Sequence, residues 1–198
     1  MLKPVRTVAP AVTPVSLVEA KAQLRVDTSD DDTLITALID AATEHLDGYT
    51  GMLGRALITQ TWRQQLPRFP SRGETIGLEV GPVQSIASIA YFDADNVQQV
   101  LAASVYVLLE DESGPLVMLQ VNQSWPATFA REDAVTVTYV AGYGDTGSDV
   151  PAGIRQAMLL LIGAWYENRE QTVIGVSVTD LPMPVGIDAL LTNHRRWL

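Results

Sequence analysis

One glycine-rich segment of the sequence has the spacing of a phosphate-binding loop. Gly142, Gly144 and Gly147 form the pattern GxGxxG after a β-prone run and before a helical run. In dinucleotide-binding folds such glycines allow a tight turn, and the following helix N-terminus receives the pyrophosphate. Here Asp145 and Asp149 place negative charge where the pyrophosphate would lie, and no βα repeat precedes the segment. The sequence favours a turn between domains, with nucleotide binding as the weaker alternative.

Two acidic segments carry side chains of the type that bind calcium, an ion that takes oxygen ligands. The first, residues 27–32, lacks the spacing and the turn glycine of an EF-hand and fits a solvated helix N-terminus equally well. The second, residues 93–96, has the composition of a hairpin turn. We therefore predict neither a metal site nor a cofactor.

The residues needed for acid–base or nucleophilic catalysis are scarce. His45 and His194 are the two histidines, and there is no cysteine. The sequence contains no GxSxG nucleophile elbow and no HExxH helix. A carboxylate pair remains open, but nothing selects one pair among the 23 acidic residues. We predict that the chain is not an enzyme.

The charge distribution argues against a tight grip on nucleic acid, which requires clustered lysine and arginine. The 13 basic residues are outnumbered by 23 acidic ones, which gives a net charge of −10. Neither lysine nor arginine occurs between Arg25 and Arg55 or between Arg72 and Arg131. The longest apolar run, residues 157–166, is half of the roughly 20 residues that span a bilayer. We expect an acidic, soluble chain without a signal peptide or a membrane segment.

Helical patterns lie at both ends of the sequence. A capping box at Ser16 and Glu19 predicts a helix from Ser16 to Val26. A second helix is predicted from the acidic break to about Thr50, with Gly51 as the residue that follows its C-cap. The C-terminal part predicts a third helix over residues 151–165, a loop over 172–184 and a short helix over 186–197.

The middle of the sequence has β-prone runs separated by turn residues. These runs cover residues 58–66, 76–80, 85–92, 98–101, 106–109, 116–121 and 134–140. Short strands at this spacing predict an antiparallel sheet or a small barrel. The N-terminal residues 1–15 contain three prolines and predict an extended arm, which either docks on another surface or is a frayed terminus.

These elements predict an α+β fold. A discontinuous helical domain comprises residues 16–51 and 151–198, with two N-terminal and two C-terminal helices. An antiparallel β-domain is inserted at residues 57–144. The broad apolar stripe along residues 154–165 indicates burial on more than one side, either within the chain or between subunits.

The two helical blocks resemble a known family. The segments SLVEAKAQLRVD (16–27), DDDTLI (30–35) and AATEHLDGYTG (41–51) are similar to the N-terminal helices of phage head–tail connector proteins. Val150-Pro151, residues 159–162, AWYENRE (164–170), Leu190-Leu191 and Arg195 resemble the C-terminal half of that family. RALITQTW (55–62) is similar to longer members with an inserted β-region.

The resemblance implies a structural adaptor of tailed phages or of phage-like particles such as gene transfer agents, assembled in the bacterial cytoplasm. Such adaptors form a homo-oligomeric ring, typically twelve-fold, on the portal protein at the head–tail junction. The ring extends the channel through which DNA passes, without sequence-specific binding, towards a stopper or tail-terminator protein. No membrane is involved.

Carried over to this sequence, the resemblance assigns two sets of residues. The portal-binding set comprises Leu190, Leu191, Arg195, Arg196, Trp197 and Leu198, at a terminus rich in the residue types of interface hot spots. The subunit-contact set comprises Ile154, Met158, Tyr166, Glu167 and Arg169. A stopper or tail-completion protein is the first alternative function, and a nucleotide-binding enzyme that uses residues 142–147 is the second.

Overall fold

The computed structural model describes residues 2–71, 73–168 and 185–195. Within these ranges the helices are α1 (Leu17–Leu24), α2 (Asp32–Leu46), α3 (Ala152–Glu167) and α4 (Val185–Leu191). Short 3-10 helices lie at Ala103–Val105, Gly147–Asp149 and Thr192–His194. The strands are β1 (Val5–Val8), β2 (Gln60–Leu66), β3 (Ile76–Gly77), β4 (Val83–Phe92), β5 (Gln98–Val100), β6 (Tyr106–Asp111), β7 (Gly114–Leu119) and β8 (Val135–Ala141).

Helix α1 begins at the capping box read from the sequence. The Ser16 hydroxyl accepts a hydrogen bond from the Glu19 backbone N–H at 3.3 Å. The Glu19 carboxylate accepts in return from the Ser16 backbone N–H at 2.9 Å. The helix ends where Arg25 adopts a left-handed conformation with φ of 56°. Local sequence chemistry therefore determines both where this helix starts and the direction of its first turn.

Helix α2 ends at Leu46, so its predicted extension to Thr50 and the predicted role of Gly51 after the C-cap are wrong. The chain leaves the helix at Asp47, which is extended. Gly48 then takes a φ of 82°, a region that favours glycine. The Asp47 side chain accepts hydrogen bonds from Leu57 and Gln60, which lie outside the helix, and these long-range contacts set the helix end.

The strands form two antiparallel sheets. The five-stranded sheet has the order β1-β2-β8-β4-β5, and the three-stranded sheet has the order β3-β7-β6. In β8, buried and half-buried residues alternate along the strand, as expected for a strand with one face on a core. The predicted β-runs are present, although β3 is shorter than predicted and β7 is displaced by two residues towards the N-terminus.

The N-terminal arm, residues 2–13, is extended as predicted, but it contributes a strand to the chain's own sheet. Its strand β1 pairs antiparallel with β2, with Val5 opposite Arg63 and Arg6 opposite Trp62. The Leu2 backbone N–H also donates to the Gln65 carbonyl at 3.0 Å. The arm is therefore the outermost strand of the five-stranded sheet.

The buried apolar side chains form two clusters. The first joins α1 and α2 to α3 and α4, although the two pairs of helices lie far apart in the sequence. The second takes residues from both sheets, including Trp62, Leu78, Ile89, Val137 and Tyr139. This arrangement confirms the α+β class with helices from both ends of the chain. The domain boundaries proposed from the sequence remain a proposal.

Candidate functional site

Helix α3 lies at the centre of the helical cluster. It contacts α1, α2 and α4, and the side chains of Ile154 and Met158 are fully buried there. The broad apolar stripe is thus covered within the chain itself. Contact of Ile154 and Met158 with a second subunit remains a prediction. Because both side chains are buried, they would influence such a contact through the position of α3, which they anchor.

The C-terminal end of α3 is held against the N-terminal helices by polar and aromatic contacts. The Tyr166 hydroxyl donates a hydrogen bond to the Asp31 carboxylate. The Trp165 and His45 rings meet edge to face, with centroids 6.3 Å apart. Glu167 is exposed at the end of the helix. Of the predicted subunit-contact residues, Arg169 lies outside the described residues.

The predicted portal-binding residues in and after helix α4 differ in how deeply they are buried. Leu191 is fully buried in the helical cluster, whereas Leu190 is half-buried at its edge. Arg195 is also half-buried, and its guanidinium donates to the Asp188 carboxylate at 2.6 Å. Residues 196–198, which include Arg196, Trp197 and Leu198, lie outside the described residues. Leu191 therefore supports the segment from inside, and Leu190 and Arg195 have surface that a partner can reach.

Arg55 fixes the chain just before this C-terminal segment. Its Nε donates to the His194 backbone carbonyl at 2.8 Å. Arg195 also approaches the sulfur of Met52 at 3.2 Å. The loop after α2 therefore positions the chain at the point where the C-terminal residues leave the described structure.

The glycines of the GxGxxG segment are explained by close approach of other parts of the chain. Gly142 has a φ of 138°, and a Cβ there would lie 2.5 Å from the carbonyl carbon of Ile58. A Cβ on Gly147 would lie 2.5 Å from the carbonyl oxygen of Pro14. Both distances are too short for any side chain to be accepted without movement of the backbone. The segment is a packed junction between the arm, the β-region and the helices.

A carboxylate already occupies the position where this segment would hold a pyrophosphate. The Asp149 side chain accepts hydrogen bonds from the Thr146 backbone N–H at 2.9 Å and from its hydroxyl at 2.8 Å. These bonds lower the pKa of Asp149, with the backbone bond as the main cause. The group is therefore anionic at neutral pH and opposes a second anion at the same N–H groups.

The two acidic segments have structural roles. Lys21 pairs with Asp32 at 2.5 Å across the break between α1 and α2. The Asp93 carboxylate accepts from the backbone N–H groups of Asp95 and Val97 at 3.1 and 3.0 Å and shapes the β4–β5 hairpin. Among the described residues, no group of three or more acidic or histidine side chains is placed to hold a metal ion.

A buried carboxylate at the end of α2 was missed from the sequence. Asp47 is 8% exposed, and its Oδ1 accepts from the Leu57 backbone N–H at 2.7 Å and from the Gln60 amide at 2.9 Å. Its Oδ2 lies 3.1 Å from the Arg6 guanidinium of the arm. Burial raises the pKa of Asp47, and the three partners partly oppose this effect. The available signal was Arg6, the one arginine in a mostly apolar arm.

An open groove of 840 Å³ lies beside this cluster, between the arm and α2. The arm contributes Lys3, Arg6 and the segment 9–13, and α2 contributes Asp40 and Glu44. Lys3 also lies over the Tyr49 ring, 5.9 Å from its centroid. The groove therefore has cations on its arm side and carboxylates on its helix side.

Comparison with protein families provides the assignment. The head completion protein family matches residues 15–197, almost the whole chain. The chain belongs to the head completion protein family. This membership confirms the resemblance to head–tail connectors drawn from the sequence. It does not favour the nucleotide-binding alternative, in agreement with the packed glycines and the Asp149 carboxylate.

Solved structures with the same fold come from gene transfer agent (GTA) particles. A chain in the neck of an empty GTA particle, computed with C6 symmetry, superposes with a TM-score of 0.77 at 23% identity. A chain in the virion of a native particle gives 0.75 at 22% identity, and a chain in a native neck computed with C12 symmetry gives 0.70 at 21%. Each match covers 100% of this chain and 97% of the other.

The head completion family match begins at residue 15, so the N-terminal arm lies outside it. A comparison with curated proteins gave no significant match. Among the described residues, none of the helices has the length and apolarity needed to cross a bilayer.

Proposed function

We propose that this chain is a structural adaptor at the head–tail junction of a tailed phage or phage-like particle. In this role, copies of the chain form a ring on the portal and continue the DNA channel towards the tail. The observation that carries the proposal is the head completion family match over residues 15–197. The likeness to chains of GTA necks over the full length of the fold adds support.

The charge of the chain suits a channel through which DNA moves. The net charge is −10, and the exposed side of α2 presents Asp40 and Glu44. A wall of this sign repels phosphates and keeps DNA from adhering, whereas a basic wall would retain it. The proposed channel therefore transmits DNA without binding a sequence.

Attachment to the portal is assigned to the C-terminal segment. Leu190 and Arg195 have accessible surface next to the residues that follow them, Arg196, Trp197 and Leu198. Tryptophan and arginine are enriched among the residues that dominate interface energies. Tyr166 and Glu167, the last two residues of α3, and Arg169, which follows them in the sequence, are assigned to the contact with a neighbouring subunit.

Negative-stain imaging of the purified chain, alone and mixed with portal, tests the proposal. We expect rings, or a new layer on the portal, which also gives the symmetry directly. The double variant Arg196→Ala with Trp197→Ala should lose attachment and keep its far-UV circular dichroism. Asn193→Ala, an exposed change in the same segment, is the matched control.

The result that contradicts the proposal is a chain that neither forms rings nor binds portal. Binding to another neck component in that case would point to the stopper or tail-completion alternative. Unchanged attachment of the double variant would contradict only the C-terminal assignment. Deletions should begin after Arg195, because Leu191 is part of the helical cluster and its loss would unfold α4.

A further inference from the structure

Polar and backbone contacts hold most of the N-terminal arm on the body of the protein. All four side chains of β1 are exposed, so the backbone ladder with β2 supplies most of its attachment. The clearest side-chain anchor is the Arg6 guanidinium, which contacts Asp47 at 3.1 Å and Gln60 at 3.3 Å. Within residues 2–8 Pro4 is the one buried side chain, so the arm gains little from apolar burial.

The site that receives the Arg6 side chain consists of Asp47 and Gln60, which are more deeply buried than the arm. The Asp47 side chain is 3% exposed and Gln60 is 2% exposed, and both are fixed by hydrogen bonds within the body. Without Arg6, Asp47 would lose the cation that faces its buried carboxyl group, one of the contacts that oppose the effect of burial on its pKa. The site therefore selects an extended segment that carries an arginine at this register.

The linker, the part of the arm that follows β1, is unusually apolar for an exposed segment. Residues 9–13 form neither helix nor strand and read Ala-Pro-Ala-Val-Thr. Val12 is 47% exposed, and Val8 at the end of β1 is 57% exposed. Beyond it the chain is fixed, because Val15 is buried and Pro14 packs against Gly147. The linker thus has a fixed base and apolar side chains that the described part of the chain leaves about half exposed.

We propose that in the assembled ring each arm lies on β2 of the neighbouring copy, where its Arg6 pairs with that copy's Asp47. This inference rests on the proposed function for the existence of the ring. The arm would make the same contacts on either copy, so the exchange requires rearrangement of residues 9–13 alone. The linker then crosses the subunit boundary, where its apolar side chains become covered.

Arm exchange has the symmetry that a ring requires. Each copy donates an arm on one side and receives an arm on the other, which is a heterologous contact that closes when the rotation is right. Neighbours in a ring are also held at high effective concentration, so even a weakly held arm is bound when its site lies next to it. The segment that fills each site is therefore the arm of the neighbouring copy.

Disulfide trapping tests the exchange, and the absence of native cysteine makes the result unambiguous. Val5 and Arg63 are paired across β1 and β2, at a separation that a disulfide can bridge. Rings are assembled from a mixture of the single variants Val5→Cys and Arg63→Cys and then oxidised. We expect covalent dimers on a non-reducing gel. The double variant should give a ladder of covalent oligomers from rings and an intramolecular bond from dilute monomers.

Rings that are visible by negative stain and yield only uncrosslinked or internally bonded chains would overturn the exchange and leave the proposed function intact. A preparation without rings, with or without portal, would contradict the proposed function and the exchange with it. Arg6→Gln should lower the yield of intermolecular disulfide by roughly tenfold, because it removes a charge-assisted hydrogen bond. Lys3→Gln is the comparison variant and should lower the yield less than Arg6→Gln, since Lys3 lies over the Tyr49 ring, whereas Arg6 pairs with the buried Asp47.

Discussion

The stability of the helical cluster is expected to depend strongly on Ile154. Its side chain is fully buried in α3 among residues from the other helices. Ile154→Ala removes three carbon atoms, each worth about 0.8 kcal/mol on transfer from water. The surrounding helices collapse only partly into the space, so a cavity contribution brings the expected loss in free energy of unfolding to about 3–4 kcal/mol.

Urea unfolding of the isolated chain, followed by far-UV circular dichroism, measures this loss. Val18→Ala on α1 is the control, because Val18 is 77% exposed and its truncation should change the free energy of unfolding by no more than about 0.5 kcal/mol. A loss below about 1 kcal/mol for Ile154→Ala would refute the reasoning. It would mean that the free chain does not use Ile154 in its core and that the side chain is available to a second subunit.

Three further outcomes are expected. Ser16→Ala removes the capping box of α1 and should lower the free energy of unfolding by about 1 kcal/mol in thermal unfolding. The backbone hydrogen bond from Ser16 is the main cause that lowers the pKa of Glu19, so the stability contributed by Glu19 is present above its ordinary pKa. That contribution is lost as the pH falls through the lowered pKa. Ser16→Ala removes the hydroxyl hydrogen bond to Glu19, the second cause, and keeps the backbone bond, so stability measured against pH should show only a partly reduced acid loss. Gly142→Ala places a Cβ 2.5 Å from the Ile58 backbone and should yield little folded protein on gel filtration, whereas Gly77→Ala, with open space around it, should elute normally.

The elements that were predictable from the sequence are those with local causes. The capping box at Ser16 and Glu19 fixes the start of α1 by contacts between neighbours, and the structure reproduces it. The alternation along β8 follows from burial of one face, which is also a local pattern. For the same reason the β4–β5 hairpin could be read from its turn residues, which bond to the Asp93 side chain.

The features that were not predicted from the sequence depend on contacts between distant parts of the chain. The end of α2 was placed too late because the sequence around Leu46 does not reveal that Asp47 bonds to Leu57 and Gln60. The arm was expected to be extended, yet its pairing with β2 depends on an edge whose existence requires the whole sheet. The stripe on α3 was correctly read as broadly buried, but sequence alone left open whether this chain or another copy covers it.

The position of β8 in the sheet has a consequence for the order of folding. β8 is the last of the described strands to be synthesised, yet it lies between β2 and β4 at the centre of the five-stranded sheet. Helix α3 likewise follows the described strands and joins the two early helices into one cluster. The sheet core therefore cannot form until the chain is synthesised through β8, which ends at Ala141, and the helical cluster cannot form until α3, which ends at Glu167, is complete. Such long-range pairing folds slowly. A chain that ends before β8 lacks the centre of the five-stranded sheet, and one that ends before α3 also lacks the helix that joins the helical cluster.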